Sequence, residues 1–290
     1  MSQGTQVSAD SSEVRRTRND GLIAIASYPK SGNTYMRLLL HAYMRGRVDL
    51  NELSIMMPGD SSKYYYQQAI PIEVSKVQPQ TVPQLRYAAM LHCLASQAWT
   101  NYKFIKSHWM RGYGGKTFFD PTVFSSIIYL YRNPFEVVGS FAKHQSIDID
   151  TAIHRMTSAG IIGRVTDEGI MPSFMGSYGD NVLTHFNAAD GVPTIAISYK
   201  KLMKNPAMVL RKVVEFVENP PGMVSIEDAV EMVRIDKMQK MEDEMGFLEA
   251  RGGRFFTNGT TCKLSKSQRA KLQAHVDLLP QKIRDEVLNG

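Results

Sequence analysis

Apolar positions in this chain fall into short, nearly unbroken runs separated by segments of helical spacing. Residues 22–27, LIAIAS, are apolar or small throughout, the mark of a strand buried on both faces. A helix-spaced segment follows over 34–46. Periodicity is then lost over 47–83, where Pro58, Gly59, Tyr64, Tyr65, Tyr66, Pro71 and Pro79 collect. So long an irregular stretch, when ordered, is more often functional than idle. Residues 84–99 return to helical spacing through Leu85, Ala88, Ala89, Leu91 and Cys93. A short strand is expected at 104–106, then a glycine-rich loop, RGYGGKT, then a second apolar strand at 127–131. Pro134 suits the first position of a helix. A helix around 181–186, a strand at 194–198 and helices at 206–218, 226–242 and 266–279 complete the pattern.

Strands alternating with helices predict an α/β fold: one domain with a central parallel sheet flanked by helices. No internal repeat or linker marks a second domain. Residues 1–20 are polar and serine-rich and read as a disordered tail, leaving 21–290 as the domain.

Composition narrows this only a little. With 43% hydrophobic and 21% charged residues, the 290-residue chain is of ordinary globular type and long enough for a sizeable core. Its 34 basic against 28 acidic residues give +6, which suits anionic ligands without choosing among them. The two cysteines, Cys93 and Cys262, form no CxxC pair, so a reducing compartment is the simplest fit. The N-terminus has no signal-peptide core, and no run approaches 18 apolar residues. A soluble, cytoplasmic protein with no membrane partner is expected.

The chemistry concentrates in IAIASYPKSGNTYMRLLL, residues 23–40. An apolar strand runs through a tight loop into a helix N-terminus, whose backbone N–H groups favour an anion. This is not a Walker A loop, because Lys30 precedes Gly32 instead of following the last glycine. Gly115-Lys116-Thr117 fails too: Met110 stands where the first glycine belongs, and Pro121 follows where a helix should run. No GxGxxG follows the first strand, which disfavours a dinucleotide.

Tyr28-Pro29-Lys30-Ser31-Gly32-Asn33-Thr34 closely resembles the 5′-phosphosulfate loop of the sulfotransferase family. Tyr131-Arg132-Asn133-Pro134, followed by Val137, Val138 and Ser140, is similar to that family's 3′-phosphate segment. Lys106-Ser107-His108 stands where the family has its Lys-Thr-His strand end. Tyr199, Leu202 and the Lys204-Asn205-Pro206 turn resemble the segment bordering the adenine. The matches run in family order from about residue 22 to residue 275.

The resemblance implies sulfuryl transfer from 3′-phosphoadenosine 5′-phosphosulfate (PAPS) to a hydroxyl or amine of a small-molecule acceptor. It implies His108 as general base, with Lys30 and Lys106 stabilising the leaving phosphate. It also implies a donor site of Lys30, Ser31, Gly32, Asn33, Thr34, Tyr35, Arg132, Ser140, Tyr199, Thr257, Asn258 and Gly259, with no metal. Imidazole suits a base near neutrality, and cations aimed at the departing oxygen give differential stabilisation. The other histidines, His41, His92, His144, His154, His185 and His275, read as structural or exposed. Arg132 suits equally a strand-capping ion pair with Glu136. Tyr64–Tyr66, Trp109, Tyr113 and Phe118 either line the acceptor pocket or pack.

The chain departs from the family pattern in Arg254-Phe255-Phe256-Thr257-Asn258-Gly259, where Thr257 and Asn258 replace a basic pair that clamps the 3′-phosphate. Arg251 and Arg254 are near enough to compensate. Ile235 stands where many members place an aromatic. No C-terminal dimer motif is present, so oligomeric state stays open. Two rival functions remain. A P-loop kinase would need a Walker lysine and a Mg²⁺ carboxylate. A non-catalytic anion or nucleic-acid binder would show strongly salt-dependent binding and leaves Lys-x-His unexplained; no nucleic-acid partner is expected.

Overall fold

The computed structural model describes residues 20–97, 102–158, 169–250, 253–257 and 262–290. The expected tail therefore lies outside the described residues except for Asp20. The strands are β1 (Leu22–Ser27), β2 (Lys103–Ser107), β3 (Gly112–Tyr113), β4 (Lys116–Thr117), β5 (Phe124–Tyr131) and β6 (Thr194–Ser198). Four of them form a fully parallel sheet in the order β2-β1-β5-β6, and β3 and β4 make a separate hairpin. Every residue of β1 is buried, as a central strand with helices on both faces requires.

Side chains alternate across that strand. Leu22, Ala24 and Ala26 enter one core with α4 (Val82–Ser96), α5 (Pro134–Gln145), α6 (Ile149–Thr157), α7 (Tyr178–Phe186), α12 (Lys266–Val276) and α13 (Gln281–Asn289). Ile23 and Ile25 enter the other, with α1 (Asn33–Arg45), α2 (Leu50–Met56), α8 (Tyr199–Lys204), α9 (Pro206–Phe216), α10 (Ile226–Met232) and α11 (Ile235–Met245). The α/β architecture with a central parallel sheet is thus the one the pattern predicts. No helix among the described residues is long and apolar enough to cross a membrane.

Several elements differ from expectation. Residues 47–83 are not irregular throughout: they form α2, α3 (Lys63–Ala69) and two 3₁₀ turns. Seven-residue helices are too short to impose a visible period, although Asp49 caps α2 by accepting from the N–H groups of Asn51 and Glu52. The expected helix over 226–242 is two helices. Val233 and Met238 are both fully buried, five residues apart, which a continuous helix would not place on one face. The chain therefore breaks at Arg234, whose backbone is extended. The sequence reading missed α6 and α13; only Ile283 and Val287 of α13 are buried.

Part of the 47–83 segment extends the sheet. The Lys106 N–H donates to the Pro58 carbonyl (2.7 Å), and the Asp60 N–H donates to the Lys106 carbonyl (2.9 Å). This covers the otherwise open edge of β2. Asp60 is held in turn by Arg86 on α4, at 2.8 Å, with both side chains almost fully buried. The guanidinium also lies 4.3 Å over the Trp109 ring and donates from Nε to the Phe118 carbonyl (2.9 Å).

Removing one partner of such a pair strands a buried charge, at a cost of about 3–5 kcal/mol. Asp60→Ala should therefore lower the urea-unfolding free energy by about that much. Asp60→Ala combined with Arg86→Met should recover a good part of it. A single variant as stable as wild type would show that the pair is not what anchors this segment.

Candidate active site

The carboxyl ends of all four parallel strands converge on one region, the usual place for a ligand in an open α/β sheet. The loop from Tyr28 to Gly32 leaves β1 there. Lys30 sits at φ 67° and Gly32 at φ 101°, both in the left-handed region. A Cβ at Gly32 would lie 2.8 Å from the Tyr199 ring, so glycine is needed for space as well as for backbone. No side chain among the described residues caps α1, so its first N–H groups suit an anion. Asn33 is braced inward: its Nδ2 donates to the Ile25 carbonyl (2.7 Å) and to Ser27 Oγ (3.3 Å). Its side chain thus fixes the loop on β1, leaving its backbone for a ligand. Ser31 Oγ is buried with no hydrogen-bond partner among the described residues.

At the end of β2 stand Lys106 and His108. His108 Nδ1 lies 2.8 Å from the Ser27 carbonyl oxygen. A carbonyl can only accept, so Nδ1 carries the proton and Nε2 keeps its lone pair. Burial first, and Lys106 second, push the imidazole down to about 3, so the ring is neutral at physiological pH.

At the end of β5, Arg132 donates from Nη1 to the Lys30 carbonyl (3.3 Å) and from Nε to Glu136 (3.1 Å). Its guanidinium lies 4.1 Å over the Tyr199 ring. The Glu136 ion pair is therefore present, and Arg132 still reaches the loop. Ser140 lines a cleft with Lys30, Lys143, His144, Gly253, Arg254, Phe255 and Thr257. Lys30 Nζ lies 4.0 Å over the Phe255 ring. Burial chiefly, and then Lys106, lowers the Lys30 ammonium to about 8. Tyr35 stands on the Tyr199 side, its hydroxyl pushed up to about 12 by burial and by that neighbour.

The candidates at the four strand ends thus come together, with Ser140 and Thr257 beside them. Asn258 and Gly259, with Arg251, lie outside the described residues. Arg254 is in the cleft but bonds to Asp243. Among the aromatic candidates, Trp109 and Tyr66 are core residues with no exposure, while Tyr64 and Tyr113 are largely exposed. Trp109 stacks on Phe174 (5.4 Å) and meets Phe118 edge-on (5.0 Å).

Sequence reasoning missed Arg37, Lys143, His144 and Glu249. Arg37, fully buried, stands among the apolar positions of α1, and that placement was its one signal. Lys143 follows Ser140 by three residues, one helical turn on α5, and makes no ion pair among the described residues. His144, which read as an ordinary histidine, lines the cleft. Glu249 had no local signal. Its Oε2 accepts from Thr34 Oγ1 (2.9 Å), and its Oε1 accepts from Arg37 Nη1 (2.7 Å) and Nη2 (2.9 Å). Lys106 Nζ lies 3.1 Å from the same Oε1. Burial would raise this carboxyl, but Lys106 and Arg37 outweigh burial and hold it at about 2. An oxyanion therefore already fits the first turn of α1.

The sulfotransferase domain model matches residues 20–270, most of the chain. The chain belongs to the sulfotransferase family. Among solved structures, it resembles mouse sulfotransferase SULT7A1 complexed with PAP, at 13% identity and TM-score 0.56, covering 93% of this chain and 87% of that one. It also resembles retinol dehydratase in complex with androsterone and PAP, at 14% identity and TM-score 0.57, covering 90% and 80%. At these identities the likeness establishes the fold of this sulfotransferase. No curated sequence matches it significantly.

The neutral histidine gives a test by pH. In the unfolded chain histidine titrates near 6.5, whereas His108, and His185 likewise, hold off protonation until about 3 in the folded state. The unfolded chain thus binds protons first as pH falls below about 6.5, and stability drops by up to about 1.4 kcal/mol per pH unit for each ring. Urea-unfolding free energies should fall from pH 6.5 to 5, and less steeply in His108→Gln. Equal slopes would place the ring in solvent.

Proposed function

We propose that this sulfotransferase moves a sulfuryl group from PAPS to a hydroxyl or amine of a small-molecule acceptor. The observation that carries the reading is one grouping. Lys30, Lys106 and the lone pair of His108 Nε2 surround an uncapped helix N-terminus that already accommodates an oxyanion. Both structural neighbours named above were solved with PAP, the desulfated donor, which supports the same choice of nucleotide. Androsterone in one of them and retinol in a further relative with TM-score 0.54 support an acceptor of small-molecule size.

When bound, the donor supplies the activated sulfuryl group. The backbone N–H groups from Ser31 to Thr34, with Thr34 Oγ1 and Ser31 Oγ, would hold its 5′ end. Lys30 and Lys106 place positive charge where negative charge grows on the leaving phosphate, and so act more strongly in the transition state than before it. His108 Nε2 takes the acceptor's proton. The Ser27 carbonyl serves that step by holding the opposite ring nitrogen protonated. Tyr35 and Tyr199 flank the adenine side, while Thr257, with Asn258 and Gly259 following it in sequence, completes the donor site.

For the 3′-phosphate, Arg132 and Ser140 act with Lys143. Lys143 supplies the charge that Thr257 and Asn258 lack, because it lines the cleft and pairs with no carboxylate among the described residues, whereas Arg254 is tied to Asp243. Calorimetry with adenosine 3′,5′-bisphosphate and with the 5′-monophosphate tests this. Lys143→Ala should cost the bisphosphate about 1.5–3 kcal/mol and leave the monophosphate nearly unchanged. Arg254→Ala should do less; the reverse ranking would give Arg254 the role.

The activity itself is tested by incubating the protein with radiolabelled PAPS and phenols, alcohols, steroids and amines, reading sulfate incorporation. His108→Ala should lower kcat by about 10²–10⁴-fold while leaving bisphosphate affinity near wild type. Undiminished turnover in that variant would remove His108 from the mechanism.

A further inference from the structure

Glu249 stands where the proposed reaction needs room for a different anion. Its carboxylate takes the Thr34 hydroxyl at the first turn of α1, both terminal nitrogens of Arg37 and the Lys106 ammonium. Thr34 and Lys106 are the groups that the PAPS reading assigns to the phosphosulfate. Two anions at van der Waals distance in a partly buried site repel strongly, because little water screens them. Protonation offers no relief, since the surrounding cations keep this carboxyl ionised at any physiological pH. Glu249 and the donor's phosphosulfate therefore exclude each other.

The attachment of Glu249 allows it to leave. Gly246 ends α11 at φ 73° and Gly253 sits at φ 111°, so the backbone on either side of Glu249 has residues free to re-orient. Between Gly246 and Ala250 the only deeply buried side chain is Phe247, stacked on Phe256 at 5.5 Å. Neighbouring Leu248 is 75% exposed and holds nothing in place. Besides Phe247 and the partly buried Ala250, which pack on the core, what ties this stretch to the site is the Glu249 carboxylate.

We propose that Glu249 is an internal anion that fills the phosphosulfate cradle and must be displaced for PAPS to bind. This rests on the PAPS reading. The arrangement has two effects. It compensates Arg37, whose fully buried guanidinium would otherwise face Lys106 without a counter-charge. It also sets a threshold. A tethered carboxylate competes at an effective concentration of roughly millimolar or above, so an anion gripping only the cradle is shut out. A nucleotide that also holds the cleft at Ser140 and Lys143 can displace it. Glu249 is thus a specificity-determining residue against inorganic sulfate and phosphate.

Calorimetry on wild type, Glu249→Gln and Glu249→Ala, with adenosine 3′,5′-bisphosphate and separately with inorganic sulfate, tests the proposal. Both variants should bind the bisphosphate at least tenfold more tightly. Both should acquire sulfate binding that the wild type lacks at the same concentration. Bisphosphate affinity that is unchanged or weaker, with no gain in sulfate binding, would overturn the proposal and make Glu249 a residue that positions Arg37 and Lys106. The glutamine variant keeps an acceptor for Thr34 and Arg37, so it remains decisive if the alanine variant does not fold. If no form of the protein binds the bisphosphate, the PAPS reading fails. The sulfate titration then still decides whether Glu249 blocks the cradle.

Discussion

The loop after β1 delivers a helix N-terminus that no side chain among the described residues caps, and Lys30, Arg37, Lys106 and Arg132 stand around it. That is a large positive potential in a partly dehydrated place, and it has to be answered by an anion. The pull shows in the local titrations. Lys30 is lowered by Lys106 as well as by burial, and Glu249 is held ionised by the charges it neutralises. The backbone carries part of the strain, since Lys30 adopts the left-handed conformation without being glycine. An L-residue in that conformation costs about 1–2 kcal/mol, and glycine would remove the cost but also the ammonium. The position therefore keeps a lysine against its conformational preference.

The same potential keeps His108 neutral. Positive charge from Lys106 disfavours protonation of His108, and burial acts in the same direction. A neutral imidazole still has two tautomers, and only one leaves Nε2 able to accept a proton. The Ser27 carbonyl makes that choice. Ser27 ends β1, the strand that feeds the anion loop, so one buried strand sets the geometry of both halves of the site. Asn33 reinforces this by tying the loop back to Ile25 and Ser27.

What could be read from the sequence was whatever depends on near neighbours in the chain. The buried strand LIAIAS, the loop at 28–34, the Lys106–His108 pair and the Pro134 helix start all have their causes within a few residues. The parallel sheet follows from strands alternating with helices, whereas its order, β2-β1-β5-β6, depends on contacts distant in the chain. Glu249 could not be found this way, because its contacts lie 215 and 212 residues away in Thr34 and Arg37. Nothing in GFLEARGG marks its one carboxylate as different from a solvated one. The break between α10 and α11 was hidden for a related reason. Ile235 and Val233 suit a helix by composition, and only burial of Val233 together with Met238 forces the turn.

The departure from the family pattern at Thr257 and Asn258 follows from the same electrostatics. The family's basic pair would add two charges to a cleft where Lys30 is already lowered by burial and then by Lys106, Arg132 and Lys143. Lys143 reaches that cleft from α5, the helix that also carries Ser140, so charge and hydroxyl arrive from one rigid element. Two further cations in the segment that carries Thr257 would raise the cost of assembling the site, and Glu249 offsets charge only around Thr34, Arg37 and Lys106. On the proposed reading, a cation on α5 in place of the missing pair would serve a 3′-phosphate while limiting the positive charge gathered in the cleft. On this view the missing pair and the internal carboxylate are two responses to the same excess of positive potential.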